Sequence, residues 1–339
     1  MAIMKKFAAL VVAFGVPAAA AAGQARVEAP SAIHVTERAY GRSQGATQSE
    51  PYTKVFRTGP AAVLDLGNIA GDIFVTGGRT DEISLSAVKR ARDRGGRTAK
   101  EQMDLVTIEA VEAGGRVEVR TRYPREARNV NVSVDFTVNV PSRATVIVKS
   151  VSGNVTIRSV AGEVRAESVS GNVVANGTGQ TVHLKSVSGN VEVAAAAEGA
   201  NLTLHTVAGQ VTARNLRCQS IDGNTVGGDI HLLDSVCKRT SAGSMSGSIE
   251  YSGSLASGGR CELKSHSGDI RLALGPEVGF EVDASTFSGN LKTDLPVAAR
   301  SRGDESRGGL HRSLRGTYGD ASAFLELTTF SGNIVIVKR

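Results

Sequence analysis

The stretch SVSGNV at residues 150–155 decides the fold, because close variants of it return along most of the chain. In each copy a small residue precedes a glycine, a polar residue usually follows it, and Val, Ile or Leu comes next. These corner glycines stand at positions 71, 153, 171, 189, 209, 228, 247, 268, 289 and 332. From Gly153 to Gly289 the steps are 18, 18, 20, 19, 19, 21 and 21 residues. A repeat of this length, rich in Val, Ser, Thr and Asn, is typical of one coil of a β-solenoid.

Aligning the copies on the corner glycine indicates which side chains share a face. Positions −7, −5, −2, +2 and +4 are apolar in most copies, as at Val182, Leu184, Val187, Val191 and Val193. Since residues two apart lie on one face of a strand, −7/−5 and +2/+4 predict two short strands with inward side chains. The residue at −2 is expected to point inward as well. Glycine is expected at the corner because a tight turn usually requires positive φ.

Two further positions complete the predicted coil. A sixth inward residue follows the next corner, at Val160, Leu216, Val236 and Leu255. The polar residue after each corner glycine is expected to form a stacked, structural ladder rather than a metal site. Its members are Asn154, Asn172, Asn190, Asp229, Asp269, Asn290 and Asn333.

The repeats divide the chain into four sections. Residues 1–25 read as a signal peptide, since Lys5 and Lys6 precede an apolar run and an alanine tract. Residues 26–57 form a polar leader, and residues 58–141 form the first coils with a capping insertion. Within that insertion, Thr98 and Glu101 have the spacing of a capping box that opens a short helix. Residues 142–339 form the regular solenoid, with a loop insertion at 294–320.

Composition and charge narrow the function. The 339 residues carry 39 Lys and Arg against 33 Asp and Glu, a net charge of +6. The excess clusters at Lys89–Lys100 and Arg300–Arg315, and aromatic residues are only 4% of the chain. Export and the lack of aromatics among the basic residues argue against nucleic acid. The basic loops are expected either to be solvated or to contact an anionic envelope polymer or lipid.

Three cysteines bear on the fold. Cys218 and Cys237 share offset +9 in consecutive coils, so their α-carbons could lie within disulfide distance. In an exported protein this pair is either a disulfide or two stacked, buried thiols. Cys261 falls at the inward offset −7. The cysteine and histidine spacings do not match a zinc site.

Catalytic or metal-binding side chains would have to lie at offsets that point out of the coil. His231 and Glu250 share offset +3 on adjacent coils, and Asp222, Glu262 and Asp283 share offset −6. Paired carboxylates could perform acid/base catalysis or hold a cation. Charged residues on an exposed face are the alternative, so we expect no catalytic, cofactor-binding or metal residues. His266 is interpreted as an inward, structural histidine.

These elements resemble the bacterial "putative adhesin" family of domains of unknown function and, more distantly, the adhesin-head GIN domain. The resemblance rests on LDLGNIAGDIFVTG at 64–77, VNVPSRATVIVKSVSGNVTI at 138–157 and the serial SVSGNV or TVAGQV coils. It covers roughly residues 55 to 339. It implies an exported or envelope-associated, right-handed, single-stranded parallel β-solenoid, and it transfers no functional residue.

The sequence therefore predicts a non-enzymatic, exported, all-β protein, periplasmic or extracellular, that binds an envelope polymer or protein partner or acts as a scaffold. No transmembrane segment is expected in the mature chain, and the oligomeric state stays open. One alternative is a polysaccharide-active β-helix enzyme using the outward acids. A second alternative is a self-assembling envelope filament.

Overall fold

The computed structural model describes residues 47–93, 96–124, 130–275, 277–299 and 312–339. Within them, 25 strands form one sheet. The same residues contain one short helix, α1 (Ala99–Asp104). The predicted signal peptide and most of the predicted polar leader lie outside these residues. The strands are β1 (Thr47–Arg57), β2 (Val63–Ala70), β3 (Ile73–Gly78), β4 (Glu82–Arg92), β5 (Thr107–Ala113), β6 (Arg116–Arg122), β7 (Val132–Pro141), β8 (Thr145–Ser152), β9 (Val155–Arg158), β10 (Val164–Ser170), β11 (Val173–Asn176), β12 (Thr181–Ser186), β13 (Val191–Ala194), β14 (Ala200–His205), β15 (Val211–Thr225), β16 (Ile230–Ser244), β17 (Ile249–Gly253), β18 (Arg260–Ser267), β19 (Ile270–Leu274), β20 (Phe280–Ser288), β21 (Leu291–Thr293), β22 (Ala298–Ala299), β23 (Arg312–Tyr318), β24 (Ala323–Ser331) and β25 (Ile334–Lys338).

Successive repeats pair in parallel and in register, as a solenoid-like stack requires. Before the corner glycines, Val146, Val164, Val182 and Leu202 are Cα partners along β8, β10, β12 and β14. After the corner glycines, β9, β11 and β13 pair in the same way. Most of the inward residues at −7, −5, +2 and +4 are buried in one continuous apolar cluster. The predicted pairs of inward strands are therefore present.

Glycine is needed at the corner because successive coils approach closely there, and our explanation from positive φ is wrong for most copies. Only Gly71 and Gly153 among the corner glycines have positive φ. A Cβ atom on Gly171 would lie 2.1 Å from the carbonyl oxygen of Gly153, and one on Gly189 would lie 2.2 Å from that of Gly171. Real Cβ atoms do not approach backbone this closely, so any side chain would force the coils apart.

Two ladders of hydrogen bonds run along the corner. In most coils the residue after the glycine accepts from the backbone N–H of its counterpart in the neighbouring coil, for example Asn190 N to Asn172 Oδ1 at 2.9 Å. The hydroxyl at offset −3 donates to the glycine carbonyl of the neighbouring coil, for example Ser186 Oγ to Gly171 O at 2.9 Å. The stacked polar ladder is thus present, and a second, unpredicted ladder of Ser and Thr lies beside it.

The prediction for offset −2 is wrong. Strand alternation continues up to −3, so the small Ser or Thr at −3 is buried and the apolar residue at −2 faces outward. Val187, for example, is 45% exposed, whereas Ser186 is 4% exposed. The buried hydroxyl is tolerated because it donates to a backbone carbonyl. His266 also stands at −2 and is exposed, so its inward assignment is wrong too.

The last coil does not lie at the end of the stack. β24 pairs with β18 on one side and with β20 on the other, so the coil of Gly332 sits between those of Gly268 and Gly289. The predicted insertion at 294–320 contributes β22 and β23, and β23 pairs antiparallel with β20. Residues 300–311 of that insertion lie outside the described part. Sequence spacing could not reveal this order, because a parallel coil can be added from either side.

The first section is irregular, as predicted. β6 pairs in parallel with β2 and antiparallel with β5. β7 pairs in parallel with β3 and antiparallel with β4. Residues 47–57, which the sequence placed in the polar leader, form β1 and pair antiparallel with β4. The helix α1 begins after the predicted capping box, with Thr98 Oγ1 accepting from Glu101 N at 3.3 Å.

Substituting a corner glycine should destabilise the fold. We expect Gly189→Ala to lower the free energy of unfolding by about 1–3 kcal/mol or more, since the Cβ atom must displace backbone. Gly78→Ala is the matched control, because nothing lies within 4 Å of its Cβ position and its change should stay within about 0.5 kcal/mol. Urea titrations of both variants measure the difference, and equal midpoints would contradict the close-approach explanation.

Candidate functional site

The outward residues at −2 form one unbroken file across the stack, which we call the outer ladder. Nine of its ten members are large hydrophobic residues between 40% and 53% exposed, and the tenth is His266. In spatial order the ladder consists of Ile69, Val151, Val169, Val187, Val207, Val226, Met245, His266, Phe330 and Phe287. Scattered apolar residues are normal on a protein surface, but a contiguous file of them makes this surface the candidate interaction site.

The outer ladder forms one wall of a groove that runs across the coils. Residues at offset −3 form the floor, and residues at offset −4 form the opposite wall. The first part of the groove, from Ile69 to Val226, has a volume of about 850 Å³. The second part, from Val226 to Phe287, has a volume of about 600 Å³ and shares Asn224, Thr225 and Val226 with the first. We call the two together the corner groove.

The wall at −4 changes chemically along the corner groove. At the N-terminal end it carries Arg120, Lys149, Glu167 and Lys185. The next three coils present His205, Asn224 and Gly243. Lys264 then stands beside the aromatic end of the ladder. The groove therefore has a cationic section followed by a section without strong charge.

The aromatic end of the ladder is a stack of three rings. His266 and Phe330 have ring centroids 5.1 Å apart, and Phe287 and Phe330 have centroids 4.9 Å apart, with interplanar angles of 7° and 4°. Because parallel rings stacked from coil to coil cover each other's faces, the middle ring presents its edge to solvent. The arrangement is therefore less suited to stacking a planar ligand than an open aromatic face would be.

The structure brings His231 and Glu250 together, as offset +3 predicted. His231 Nδ1 and Glu250 Oε2 lie 3.1 Å apart on paired strands β16 and β17. Thr212 precedes His231 in the same row and Arg271 follows Glu250. A partly buried His–carboxylate pair of this kind is compatible with an ordinary ion pair as well as with acid/base chemistry.

The acids at offset −6 are paired with cations. Glu262 and Glu326 occupy neighbouring strands because β24 lies beside β18, and Asp283 follows on β20. Arg260 Nη2 lies 2.6 Å from Glu326, and Arg315 Nε lies 3.1 Å from Asp283. A hydrogen bond from Lys264 holds the pKa of Glu262 below its usual range. Asp222 stands two strands away from Glu262, beyond Ser241, with His205 Nε2 at 3.9 Å.

The basic clusters are only partly available to a ligand. Lys89 Nζ lies 3.3 Å from Glu50, and Arg90 pairs with Asp135, so two cations of the first cluster are neutralised. Most of the second cluster falls at 300–311, outside the described residues. Within the described residues, no group of three or more His, Cys, Asp or Glu could hold a metal ion. No helix in that part of the chain has the length and hydropathy to span a membrane.

Cys218 and Cys237 are Cα partners in β15 and β16 and are joined in the structure as a disulfide, with α-carbons 4.5 Å apart. Cys261 is a free, buried thiol. Burial raises the pKa of Cys261 to about 12, so its reactive thiolate form is suppressed.

Sequence reasoning missed the corner groove because hydrophobicity alone assigned the −2 residues to the core. The available signal was a Ser or Thr at −3, present in nine of the ten copies and followed by an apolar residue at −2 in eight of them. Strict strand alternation from −7 through −3 predicts that the hydroxyl is inside.

Comparison with known proteins finds one matching family model and several solved structures of low sequence identity. The family model described as Toastrack DUF4097 matches residues 64–337. A "putative adhesin" from Bacteroides fragilis covers 86% of this chain and 97% of its own, at 12% identity and a TM-score of 0.42. A "putative lipid binding protein" from Parabacteroides distasonis covers 84% and 96%, at 12% identity and a TM-score of 0.40. A "putative adhesin" from Parabacteroides merdae covers 67% and 89%, at 12% identity and a TM-score of 0.43.

A comparison with curated proteins finds no match. The resemblance to the "putative adhesin" family is confirmed by the family match, whereas the more distant resemblance to the GIN domain finds no support in these comparisons.

Thiol counting tests the cysteine arrangement. Native protein should show no thiol reactive toward a mild disulfide reagent, because the Cys261 thiol is buried with a pKa of about 12. After unfolding without reductant, one thiol should appear, and after reduction all three cysteines should react. A Cys261→Ser variant is the control and should show none before reduction. Three thiols in oxidised, unfolded protein would show that Cys218 and Cys237 do not pair.

Proposed function

We propose that this chain, which belongs to the Toastrack DUF4097 family, is a non-enzymatic, exported binding protein of the cell envelope whose ligand lies in the corner groove. The observation that carries the proposal is the outer ladder, an unbroken file of exposed apolar side chains on consecutive coils. Valine at these positions contributes β-propensity and cross-strand packing, but threonine would supply a similar shape without leaving about half of an apolar side chain in water on every coil.

Export of the protein from the cytoplasm is part of the proposed function. The apolar run and alanine tract of residues 1–25 support removal of a signal peptide near Ala22 or Ala25. A Cys218–Cys237 disulfide fits the oxidising conditions outside the cytoplasm. Right-handed winding of the coils is likewise an expectation from the family resemblance. The protein would then be periplasmic or extracellular and act there in an adhesin-like or scaffold role.

The ion-paired state of the outward acids supports a binding role over catalysis. Glu262, Glu326 and Asp283 each form an ion pair with an Arg or Lys, so their carboxylates are already engaged. The hydrogen bond from Lys264 also holds the pKa of Glu262 below its usual range, which leaves Glu262 poorly suited to donate a proton. His231 and Glu250 are the observation that favours a glycan-active enzyme as the second candidate. The filament alternative is supported less, because β1, β5 and β23 pair antiparallel at the margins of the parallel stack.

Retention by envelope material tests the proposed function. Immobilised protein should retain a component from whole envelope extract, purified peptidoglycan or envelope polysaccharide. Val207→Asp, which places a charge in the outer ladder, should reduce retention at least about fivefold, because the wall of the groove becomes polar. Val111→Asp is the matched control, since Val111 is 62% exposed and lies on β5, outside the ladder. Equal retention by wild type and both variants, or none by any, would contradict the proposal.

The enzymatic alternative has its own test. Under the proposed function, neither wild type nor Glu250→Gln releases reducing ends from a panel of envelope glycans. Turnover by wild type that Glu250→Gln abolishes, while circular dichroism shows an intact fold, would transfer the function to the His231–Glu250 pair.

A further inference from the structure

The corner groove offers a ligand very few hydrogen bonds along its floor. Ser168, Thr206 and Thr225 donate their hydroxyls to glycine carbonyls of neighbouring coils, at 2.8 to 3.2 Å. Ser150 Oγ is buried and has no partner among the described residues. The floor therefore presents hydroxyls whose protons are already used or shielded from a ligand.

The backbone beside the outer ladder is also paired. Val187 N donates to Ser168 O at 3.2 Å, and Ala208 N donates to Val187 O at 2.9 Å. The same pairing recurs at Gly227 and Ser246 in the following coils. A peptide could not add itself to this edge, and a glycan would lose water from its hydroxyls without gaining partners from the floor. A hydrocarbon chain needs no such partners.

The charge distribution indicates how such a chain would be oriented. Lys149 and Lys185 flank Glu167 on three adjacent strands, so two positive charges and one negative charge leave the section cationic. Neither lysine forms an ion pair with any described residue. The following section, opposite Val207, Val226 and Met245, carries His205, Asn224 and Gly243. If the anionic head of an amphiphile lies beside these lysines, its tail lies against the section of the groove without strong charge.

The length of this section fits one acyl chain. From Val187 to Met245 the ladder makes three steps of about 4.8 Å, or about 14 Å. The chains of one bilayer leaflet span about half of the roughly 30 Å hydrocarbon core, or about 15 Å. A single chain would thus cover the ladder from the lysines to Met245, whose flexible side chain adapts to its end.

We propose that the corner groove binds the single acyl chain of an anionic amphiphile, with the head at Lys149 and Lys185 and the tail along Val187, Val207, Val226 and Met245. This inference rests on the proposed function and names the class of ligand for the same groove. The occupant is one amphiphile molecule, not a membrane surface and not a second copy of the chain.

Calorimetry with matched amphiphiles below their micelle concentrations tests the assignment. Dodecyl phosphate should bind with a stoichiometry of one, dodecyltrimethylammonium at least about tenfold more weakly, and inorganic phosphate not at all. Val207→Asp should weaken dodecyl phosphate at least about tenfold, the loss expected when one valine contact is replaced by a charge. The double variant Lys149→Ala/Lys185→Ala should remove the preference for the anionic head but keep tail binding.

The controls are Val111→Asp and Lys292→Ala, which change an exposed valine and an exposed lysine outside the groove. Both should bind dodecyl phosphate as wild type does. Equal affinity for Val207→Asp and Val111→Asp, or no binding of dodecyl phosphate by wild type, would overturn the inference. If wild type still retained an envelope component that Val207→Asp lost, the proposed function would stand and only the ligand class would fall.

Discussion

The structure depends on one constraint, the approach of successive backbones at the corner glycines. At Gly171, Gly189 and Gly209 the position of a Cβ atom is already occupied by the carbonyl of the neighbouring coil. Because the coils meet there without side chains between them, the polar residue at +1 can accept from the next backbone N–H, and the hydroxyl at −3 can reach the adjacent glycine carbonyl. Register along the stack is thus fixed by backbone contact, and the apolar core follows that register.

The same constraint determines the surface. With a small hydroxyl turned inward at −3, strand alternation turns the residue at −2 outward, and the repeat then places an apolar side chain at the same point on every coil. A groove with one apolar wall is therefore a direct product of the repeat. The chemistry of the groove varies along the wall at −4, where Lys149, Glu167 and His205 differ while the corner geometry stays the same.

Much of the fold could be predicted from the sequence, because glycine spacing and Val, Leu and Ile positions report directly on register. The short helix was predictable for a similar reason, since Thr98 and Glu101 have the spacing of local hydrogen bonds. The candidate site was not. Val187 and Val207 have the composition of core residues, and only their partners at −3 indicate otherwise. The position of β24 between β18 and β20 was also hidden, because pairing order among equivalent coils depends on a connection whose residues carry no repeat.

Paired cysteine substitutions measure whether the side chains of the outer ladder point out of the core. Both substitutions are made in a Cys261→Ala background with Cys218 and Cys237 unchanged. We expect Val187→Cys to react with a water-soluble maleimide in native protein at nearly the rate of an unfolded control. Ser186→Cys should react only after unfolding, although it is the adjacent residue. Rapid labelling of Ser186→Cys with protection of Val187→Cys would place valine in the core and show that the outer ladder does not face solvent.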